Sequence, residues 1–390
     1  MNLEASNKIF TLAWEFPPIM SGESVVCLRT LKYSRRSYDV CCGMVLGSYA
    51  DPLPENICAY PLKGKYFSWP FRVAQLFRKL NRTNDYQVML SRVMPPNGHL
   101  AGLLIKLLKP KIKWVVYFSD PIWNSPFIQF SSLFKRDGLN RPNYLLMKFY
   151  GIFAKIAIQM SDLLIFNNER LARYILGDRY EKLEGKVIIT PYGHEGVDAM
   201  SLKKRGDHLV LAHIGQVYGN RSLDIVISAV SLLKEREPLL YAFLKIQQVG
   251  FLCKAEHNKI QYSGVTECFE LIDQVDYAKS LEYMRKADCL LIIDPKFENR
   301  NSNLYVPAKI YDYMSTGKPF VAITDEDSAT SDITNIIGNL TVPHDAEALY
   351  AMLARMLQSE VPHPNLKTYE HFHCRYGTEK LDLALDELKY

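Results

Sequence analysis

A lysine and an aspartate lie three residues apart in the stretch VPAKIYDYMSTGKPFVAIT, which covers residues 306–324. If a helix begins at Pro307, Lys309 lies in its first turn, where the helix dipole disfavours a positive charge. An anionic ligand would offset that, and Asp312 on the same face can accept hydrogen bonds from hydroxyl groups beside the anion. The pair therefore suits a phosphate next to a ribose, and the alternative is a surface salt bridge.

Two other segments have the composition of phosphate-binding turns. In HIGQVYGNRS (213–222), Gly215 allows a close backbone approach and Arg221 can bind phosphate oxygens bidentately. In EFPPIMSGE (15–23), Gly22 allows a similar approach at a helix start, although a turn without chemical consequence fits equally. Neither GxGxxG nor GxxxxGK[ST] occurs, so the sequence supports neither a dinucleotide-binding nor a P-loop site.

Proton transfer has two candidate residues, Asp120 at the end of the apolar run KWVVYFSD and His99 at the start of a predicted helix. The alternatives are a helix N-cap for Asp120 and a surface position for His99. The triplet 325–327, Asp-Glu-Asp, has a metal-holding pattern, but we interpret it as a solvated loop. We predict neither a metal ion nor a cofactor.

Short apolar runs alternate with longer amphipathic segments, which is typical of strands and helices in parallel α/β sheets. The charged stretch SLKKRGD (201–207) separates two such series and reads as a linker. A chain of 390 residues also exceeds the size of one typical core. We predict an N-terminal domain over 1–195, a second domain over 196–370, and a last helix within 371–390 that returns to the first domain.

The same motifs resemble a known family. VPAKIYDYMSTGKPFVAI resembles the signature of GT-B glycosyltransferases of the group 1 (family four) type, HIGQVYGNRS is similar to their second phosphate loop, and EFPPIMSGE to their N-terminal Pro-Pro-x-x-Gly-Gly loop. The resemblance implies an α/β fold of two doubly wound Rossmann-like domains facing a central cleft. It implies an N-terminal domain for the acceptor, a C-terminal domain for a nucleotide-sugar, and retaining, metal-independent sugar transfer.

The resemblance also implies roles for single residues. Arg221 and Lys309 would bind the donor diphosphate together with backbone at Gly22 and Gly215, and Asp312 would bind the ribose. Leu304 stands where the family has an acidic residue eight positions before Asp312, so sugar contacts fall to Asn303 or to backbone near Tyr305. Gln216 and Ser222 replace the Arg and Lys of many members, and the donor stays open between UDP- and GDP-sugars.

The positive charge is confined to one half of the chain. Residues 1–160 carry a net charge of +12 and the remainder −7, so the first half suits an anionic partner such as lipid, nucleic acid or a phosphorylated substrate. No nucleic-acid recognition motif accompanies the charge, and we expect no such partner. The segment KGKYFSWPFRVAQLFRKLNR (63–82) has the profile of an interfacial helix, and FIQFSSLFKRDGLNRPNY (127–144) is a second candidate patch. The residues predicted to face an anionic membrane are Trp69, Phe71, Arg72, Phe77, Arg78 and Lys79, and the alternative is a core-packing helix with solvated charges.

No membrane-spanning helix is expected, because Lys148, Lys155, Gln159 and Asp162 interrupt the most apolar stretch, 145–166. The N-terminus lacks the pattern of a signal peptide, and the eight cysteines contain no CxxC pair, as in cytosolic proteins with reduced thiols. We predict a cytoplasmic glycosyltransferase, peripheral to the inner membrane face, that serves polysaccharide biosynthesis with a lipid-linked or saccharide acceptor. A nucleotide-sugar epimerase of the same fold and a non-catalytic scaffold subunit are the alternatives.

Overall fold

The structure is a computed structural model that describes residues 8–19, 21–43, 52–65, 67–93, 96–121, 141–198, 207–217, 221–296, 304–359, 361 and 364–388. Side chains at 141–148 and 150 are outside this description. The chain divides into two compact units: unit 1 comprises 1–193 with 373–390, and unit 2 comprises 194–372.

Unit 1 contains a parallel sheet of seven strands in the order β3-β2-β1-β4-β5-β6-β7 within the described ranges. The strands are β1 Lys8–Leu12, β2 Ser37–Gly43, β3 Ile57–Leu62, β4 Val88–Arg92, β5 Lys113–Phe118, β6 Leu163–Phe166 and β7 Val187–Ile189. The helices are α1 Gly22–Lys32, α2 Trp69–Asn84, α3 Asn97–Leu108, α4 Arg141–Met160, α5 Glu169–Leu176, α6 Tyr180–Leu183 and α15 Cys374–Glu387.

The last helix of the chain belongs to unit 1, where α15 packs on α1. Asp382 accepts a hydrogen bond from the Ser34 hydroxyl at 2.6 Å and another from the backbone amide of Arg35 at 3.0 Å. The Arg36 guanidinium contacts Asp386 at 2.6 Å. Polar contacts therefore attach α15 to the turn between α1 and β2.

Unit 2 contains a parallel sheet of six described strands in the order β10-β9-β8-β11-β12-β13. The strands are β8 Leu209–Ile214, β9 Leu244–Val249, β10 Phe269–Ile272, β11 Cys289–Ile293, β12 Phe320–Ile323 and β13 Leu340–Val342. The helices are α7 Asp224–Arg236, α8 Pro238–Tyr241, α9 Lys254–Gln261, α10 Tyr277–Lys286, α11 Lys309–Ser315, α12 Ala329–Ile336, α13 Ala346–Gln358 and α14 Leu366–Glu370.

The central strands of both sheets are apolar because both of their faces are covered. All five residues of β11 are buried, as are all five of β4, although β4 ends in Ser91 and Arg92. In unit 2, α7 and α13 pack together over a core that joins β8, β9, β11 and β12. The predicted α/β class with parallel, doubly wound sheets is confirmed.

No helix within the described ranges combines the length and the hydrophobicity that crossing a bilayer requires. The apolar stretch 145–166 consists of most of α4, a short turn and the buried strand β6. Asp162 lies in that turn, where its carboxylate accepts from the Trp114 amide at 2.9 Å and contacts Lys113 at 3.1 Å. It therefore stabilises the start of β5 and lies beyond the end of α4.

Candidate functional site

In unit 2, the strand order reverses between β8 and β11, which are adjacent in the sheet although far apart in sequence. In open α/β sheets, ligands bind beyond the carboxyl ends of the strands at such a switch point. His213 and Gly215 lie at that end of β8, and Asp294 follows β11 directly. The predicted donor residues Gly215 and Lys309 are brought together here.

Helix α11 carries the lysine-aspartate pair, and it begins two residues later than predicted. Lys309 is its first residue and Ala308 its N-cap, so Pro307 lies before the helix, where its carbonyl accepts from the Ile310 amide at 3.0 Å. The Tyr313 hydroxyl accepts from the Ile214 amide at 3.1 Å and donates to the Leu291 carbonyl at 3.2 Å. One side chain thus attaches α11 to both β8 and β11, which fixes Lys309 at the switch point.

The small residues after α11 end the helix. Gly317 follows the C-cap Thr316 with a φ of 67°, a conformation in which glycine carries no side-chain penalty. Its amide donates to the Met314 carbonyl at 3.0 Å. The chain can then turn into β12, so the STGKP segment has a structural explanation.

Lys309 reaches back over the end of β8. Its Nζ lies 3.1 Å from His213 Nε2, and a Cβ added at Gly215 would lie 2.5 Å from the same Nζ. Gly215 also has a φ of 136°, which L side chains rarely adopt. The backbone at 215 therefore favours glycine, and a larger residue there would displace the Lys309 ammonium.

The surroundings of the Lys309 amine disfavour its charged form. Burial and the neighbouring Arg221 lower the pKa of Lys309 to about 7, although Asp294 and Asp312 oppose the shift. Burial and the nearby lysine also hold the pKa of His213 well below its usual value, so this imidazole is neutral. A lysine in such a site takes up a proton, and so becomes fully charged, when an anion binds beside it.

The two carboxylates near Lys309 have different surroundings. Asp312 Oδ1 accepts from the Tyr277 hydroxyl at 2.9 Å, and Asp312 is half-buried. Asp294 is 7% exposed and accepts from the Thr324 hydroxyl at 2.8 Å, and burial raises its pKa. Asp312 is accessible to a ligand, whereas Asp294 balances the cations from within the sheet edge.

An apolar side chain stands where the resemblance implies an acidic residue, eight positions before Asp312. Leu304 is 6% exposed and belongs to the core of unit 2. Tyr305 is half-buried, and its carbonyl accepts from the Thr330 hydroxyl at 3.2 Å. Asn303 lies outside the described residues.

Unit 1 has its own switch point between β1 and β4. Arg92, the last residue of β4, binds Glu23 Oε1 with Nε at 3.0 Å and with Nη2 at 2.9 Å. The guanidinium also lies over the Tyr117 ring at 3.9 Å. Burial raises the pKa of Glu23, and Arg92 opposes that shift. No local pattern points to this pair, because its partners are 69 residues apart in the sequence.

Asp120 lies at the same edge, after β5, and is half-buried. Burial, then the charges of Glu23 and Glu15, raise the pKa of Asp120 to about 7. Ser21 caps α1 by accepting from the Ser24 amide at 3.1 Å, and its hydroxyl donates to Glu15. The carboxylates at this end of α1 disfavour a phosphate near Gly22. A Cβ added at Gly22 would meet no described atom within 4 Å.

His99 is buried and does not occupy the surface position that was one interpretation of the sequence. It is 1% exposed, its Nδ1 lies 2.9 Å from the Ser91 hydroxyl, and its ring packs edge-on against Phe118. Burial lowers the pKa of His99 to about 3. These contacts stabilise α3 on the sheet, and we do not propose His99 as a proton donor or acceptor.

The predicted membrane surface on α2 needs a correction. Trp69 is fully buried and donates to the Cys42 carbonyl at 3.1 Å, and Phe77 is 2% exposed and packs on Phe10. These two side chains belong to the core because α2 covers the sheet with its apolar face. Of the six residues predicted to face a membrane, the four that are exposed are Phe71, Arg72, Arg78 and Lys79. The second candidate patch, 127–144, has no described side chains.

Within the described ranges, no group of three His, Cys, Asp or Glu side chains is arranged to hold a metal ion. Asp325 is half-buried, and Glu326 and Asp327 are exposed in the turn between β12 and α12.

The sequence did not single out His213, Gln248 or Asp294. Each is a polar residue within or directly after an apolar strand, and that is the signal by which all three could have been found. The parallel register pairs His213 with Gln248 across β8 and β9. A buried polar residue needs a hydrogen-bond partner: His213 and Gln248 are partners of each other, and Asp294 accepts from Thr324.

No family model matches this chain, and neither does any curated protein. Solved structures match it over almost its whole length. Sucrose-phosphate synthase from Thermosynechococcus elongatus is 13% identical with a TM-score of 0.71, and the match covers 98% of this chain and 99% of that one. Anabaena HepE in complex with UDP and glucose is 13% identical with a TM-score of 0.66, covering 98% and 100%. A Listeria monocytogenes protein assigned as a UDP-N-acetylglucosamine 2-epimerase is 12% identical with a TM-score of 0.58, covering 98% and 96%.

Proposed function

The chain has the GT-B fold that its motifs predicted, and on that fold we propose that it is a retaining glycosyltransferase. It would transfer a sugar from a nucleoside diphosphate sugar to a saccharide or lipid-linked acceptor in polysaccharide biosynthesis. The observation that carries the proposal is the meeting of Lys309, His213 and Gly215 at the switch point of unit 2. Retention, like the acceptor class, follows from the resemblance of the motifs.

In this proposal, unit 2 binds the donor. Lys309 and Arg221 bind the diphosphate, and the exposed edge of Asp312 binds the ribose hydroxyls. As the bond to the sugar breaks, negative charge develops on the diphosphate, and cations held in a half-buried site stabilise it more than they would in water. Catalysis would thus rest on electrostatic stabilisation of the leaving group, with no metal ion.

HepE supplies the parallel for the donor, since the HepE structure contains UDP and glucose. The test is a thermal-shift screen of UDP, GDP and their sugars with the full chain. We expect one nucleotide to raise the melting temperature, because a ligand that binds only the folded state stabilises it. No shift with any member of the panel would contradict the donor site.

The match to the Listeria epimerase favours a second candidate function. An epimerase would convert the donor sugar with no acceptor present, whereas a transferase releases nucleotide only with an acceptor or slowly to water. The buried Leu304, at the position where the resemblance implies an acidic residue, favours a third candidate function, a non-catalytic scaffold subunit. Product analysis by NMR of a reaction without acceptor separates the first two, and the anomeric signal with acceptor reports retention.

In the same proposal, unit 1 binds the acceptor and Asp120 takes the proton of its hydroxyl. With donor saturating, we expect the rate to rise with pH through about 7, because the ionised carboxylate is the form that accepts a proton. Asp120→Asn should lose most of the rate together with this rise, while the exposed Asp178→Asn should keep both. A wild-type profile in the Asp120→Asn variant would remove Asp120 from the mechanism.

We also propose that the exposed face of α2 contacts the anionic membrane surface, which would place the protein at the cytoplasmic face of the inner membrane. Phe71 is 59% exposed and the preceding Phe67 is 60% exposed. Arg72, Arg78 and Lys79 are exposed beside them, and α2 contains no acidic residue. Apolar insertion supported by attraction to anionic lipid is the physics of peripheral helices.

Vesicle binding tests this surface. Arg78→Glu with Lys79→Glu should abolish co-sedimentation with vesicles containing phosphatidylglycerol, since each basic residue contributes about 1 kcal/mol near an anionic surface. Phe71→Ser should weaken it. Lys279→Glu and Leu239→Ser, exposed positions of unit 2, are the matched controls and should bind as the wild type does. Binding that survives the charge reversal would place the membrane contact elsewhere or nowhere.

A further inference from the structure

A chain of hydrogen bonds runs from the end of β8 to the donor lysine. Gln248 Nε2 donates to the Gly215 carbonyl at 2.9 Å, and Gln248 Oε1 lies 2.7 Å from His213 Nδ1. His213 Nε2 in turn lies 3.1 Å from Lys309 Nζ. Gln248 and His213 are both 1% exposed, so solvent does not compete for these bonds.

The chemistry of the partners fixes the direction of every bond in the chain. A carbonyl oxygen can only accept, so the amide nitrogen of Gln248 faces Gly215 and its oxygen faces His213. That oxygen can only accept as well, and His213 Nδ1 therefore carries the proton. His213 Nε2 is left with a lone pair directed at the Lys309 ammonium, which donates to it. The imidazole is thus held in one tautomer.

A neutral acceptor is an unusual partner for a lysine, and it suits an anion-binding site. A carboxylate in its place would neutralise the ammonium and repel the donor phosphates. A neutral imidazole orients the ammonium without either effect. The other charges that face Lys309 are Arg221 from the loop before α7, Asp294 after β11 and Asp312 on α11.

We propose that Gln248 and His213 are positioning residues, which fix a neutral imidazole with its lone pair toward Lys309 and thereby hold the ammonium in place for the donor diphosphate. This inference rests on the proposed donor site and adds to it a defined role for two residues that need not touch the donor. It also predicts that nucleotide binding is coupled to protonation of Lys309.

The test is the pH dependence of UDP affinity, measured by isothermal titration calorimetry between pH 7 and 9, with GDP in parallel. Above pH 7 the diphosphate itself no longer changes charge, because phosphate groups titrate near pH 6. In the wild type, the dissociation constant should increase by about tenfold per pH unit above about pH 7.5, since binding takes up one proton.

His213→Phe removes the acceptor and favours loss of the lysine proton. We expect its affinity to fall on the order of tenfold at pH 7.5, the value of one typical hydrogen bond, and its pH dependence to begin at a lower pH. Gln248→Leu removes the group that fixes the His213 tautomer. It should lower nucleotide affinity and shift its pH dependence in the same direction as His213→Phe, but by less. His213→Gln should restore much of the wild-type behaviour, because its amide oxygen can accept from Lys309.

Gln248 acts on Lys309 only through His213. The double variant His213→Phe/Gln248→Leu should therefore lose little more nucleotide affinity than His213→Phe alone. Wild-type dissociation constants and an unchanged pH profile in folded His213→Phe and Gln248→Leu would overturn the inference. Failure of the wild type to bind any nucleotide would instead overturn the proposed function, so the two outcomes are distinct. If His213→Phe does not fold, Gln248→Leu with His213→Gln decides.

Discussion

Replacing Lys309 by methionine should weaken UDP or GDP binding by about ten- to a hundredfold while leaving the folded protein as stable as before or more so. The loss follows from the value of hydrogen bonds to a charged group, about 1.5–3 kcal/mol. Methionine keeps the length of the side chain and removes the ammonium, so packing over Gly215 is retained. Isothermal titration with each nucleotide measures the loss.

The expected gain in stability has a definite sign. The folded-state pKa of Lys309 is lowered to about 7, so between pH 7 and its ordinary value the unfolded chain binds more protons than the folded one. The stability of the wild type should therefore rise with pH across that window, and at pH 7 the lysine opposes folding. Lys309→Met removes this term, and urea unfolding at pH 7 and pH 9 measures it.

A lysine that served only structure would give the opposite result, with lost stability and no loss of nucleotide affinity. The matched control is Lys279→Ala, since Lys279 is an exposed lysine of the same unit that pairs with Glu282 across one helical turn. We expect that variant to bind nucleotide as the wild type does. A charged residue that lowers the stability of the folded protein but strengthens ligand binding is typical of a functional site.

The fold was predictable where strands are buried on both faces. Runs such as those of β5, β8, β11 and β12 are continuous and apolar because helices cover both sides of a parallel sheet. The edge strands β3, β10 and β13 show no such run, since partial exposure breaks their apolar pattern. Strand β3 even contains Pro61, which is tolerated at a sheet edge but argues against a strand in the sequence alone.

The proposed donor site was predictable only in part, for a related reason. Lys309 and Gly215 belong to local motifs, so spacing along the chain points to them. His213 meets Gln248, and Asp294 lies near Lys309, only because β8 is flanked by β9 and β11, and that strand order is a long-range property of the sheet. A local pattern carries no information about it.

The membrane prediction was partly wrong for a third reason. Helical periodicity shows which residues of α2 share a face, but a protein core and a lipid surface both select apolar side chains. Trp69 and Phe77 are buried in the core, while Phe71 and the basic residues are exposed on the outer face of α2. The exposed set, which excludes both buried aromatics, is the surface to test.

Substitutions in the buried pair of Glu23 and Arg92 should lower the stability of the protein strongly and unequally. The side chains of Glu23 and Arg92 are 12% and 1% exposed, and removing one partner of a buried ion pair costs about 3–5 kcal/mol. Glu23→Leu should reach that range, because an arginine cannot release its proton and would stay charged and unpaired. Arg92→Met should cost less, since Glu23, whose pKa burial already raises, can take up a proton.

This asymmetry makes the pair testable against a simple loss of packing. The folded Arg92→Met variant holds a proton on Glu23 that the unfolded chain releases above its ordinary carboxyl pKa, so its stability should fall as pH rises from about 4.5. The double variant Glu23→Leu/Arg92→Met should recover much of the stability lost by Glu23→Leu, because no charge remains buried. Arg173→Ala, which breaks exposed pairs with Glu169 and Glu181, should cost under about 1 kcal/mol. Equal losses for both single variants with no recovery in the double variant would show that shape, and not charge, holds β4 to α1.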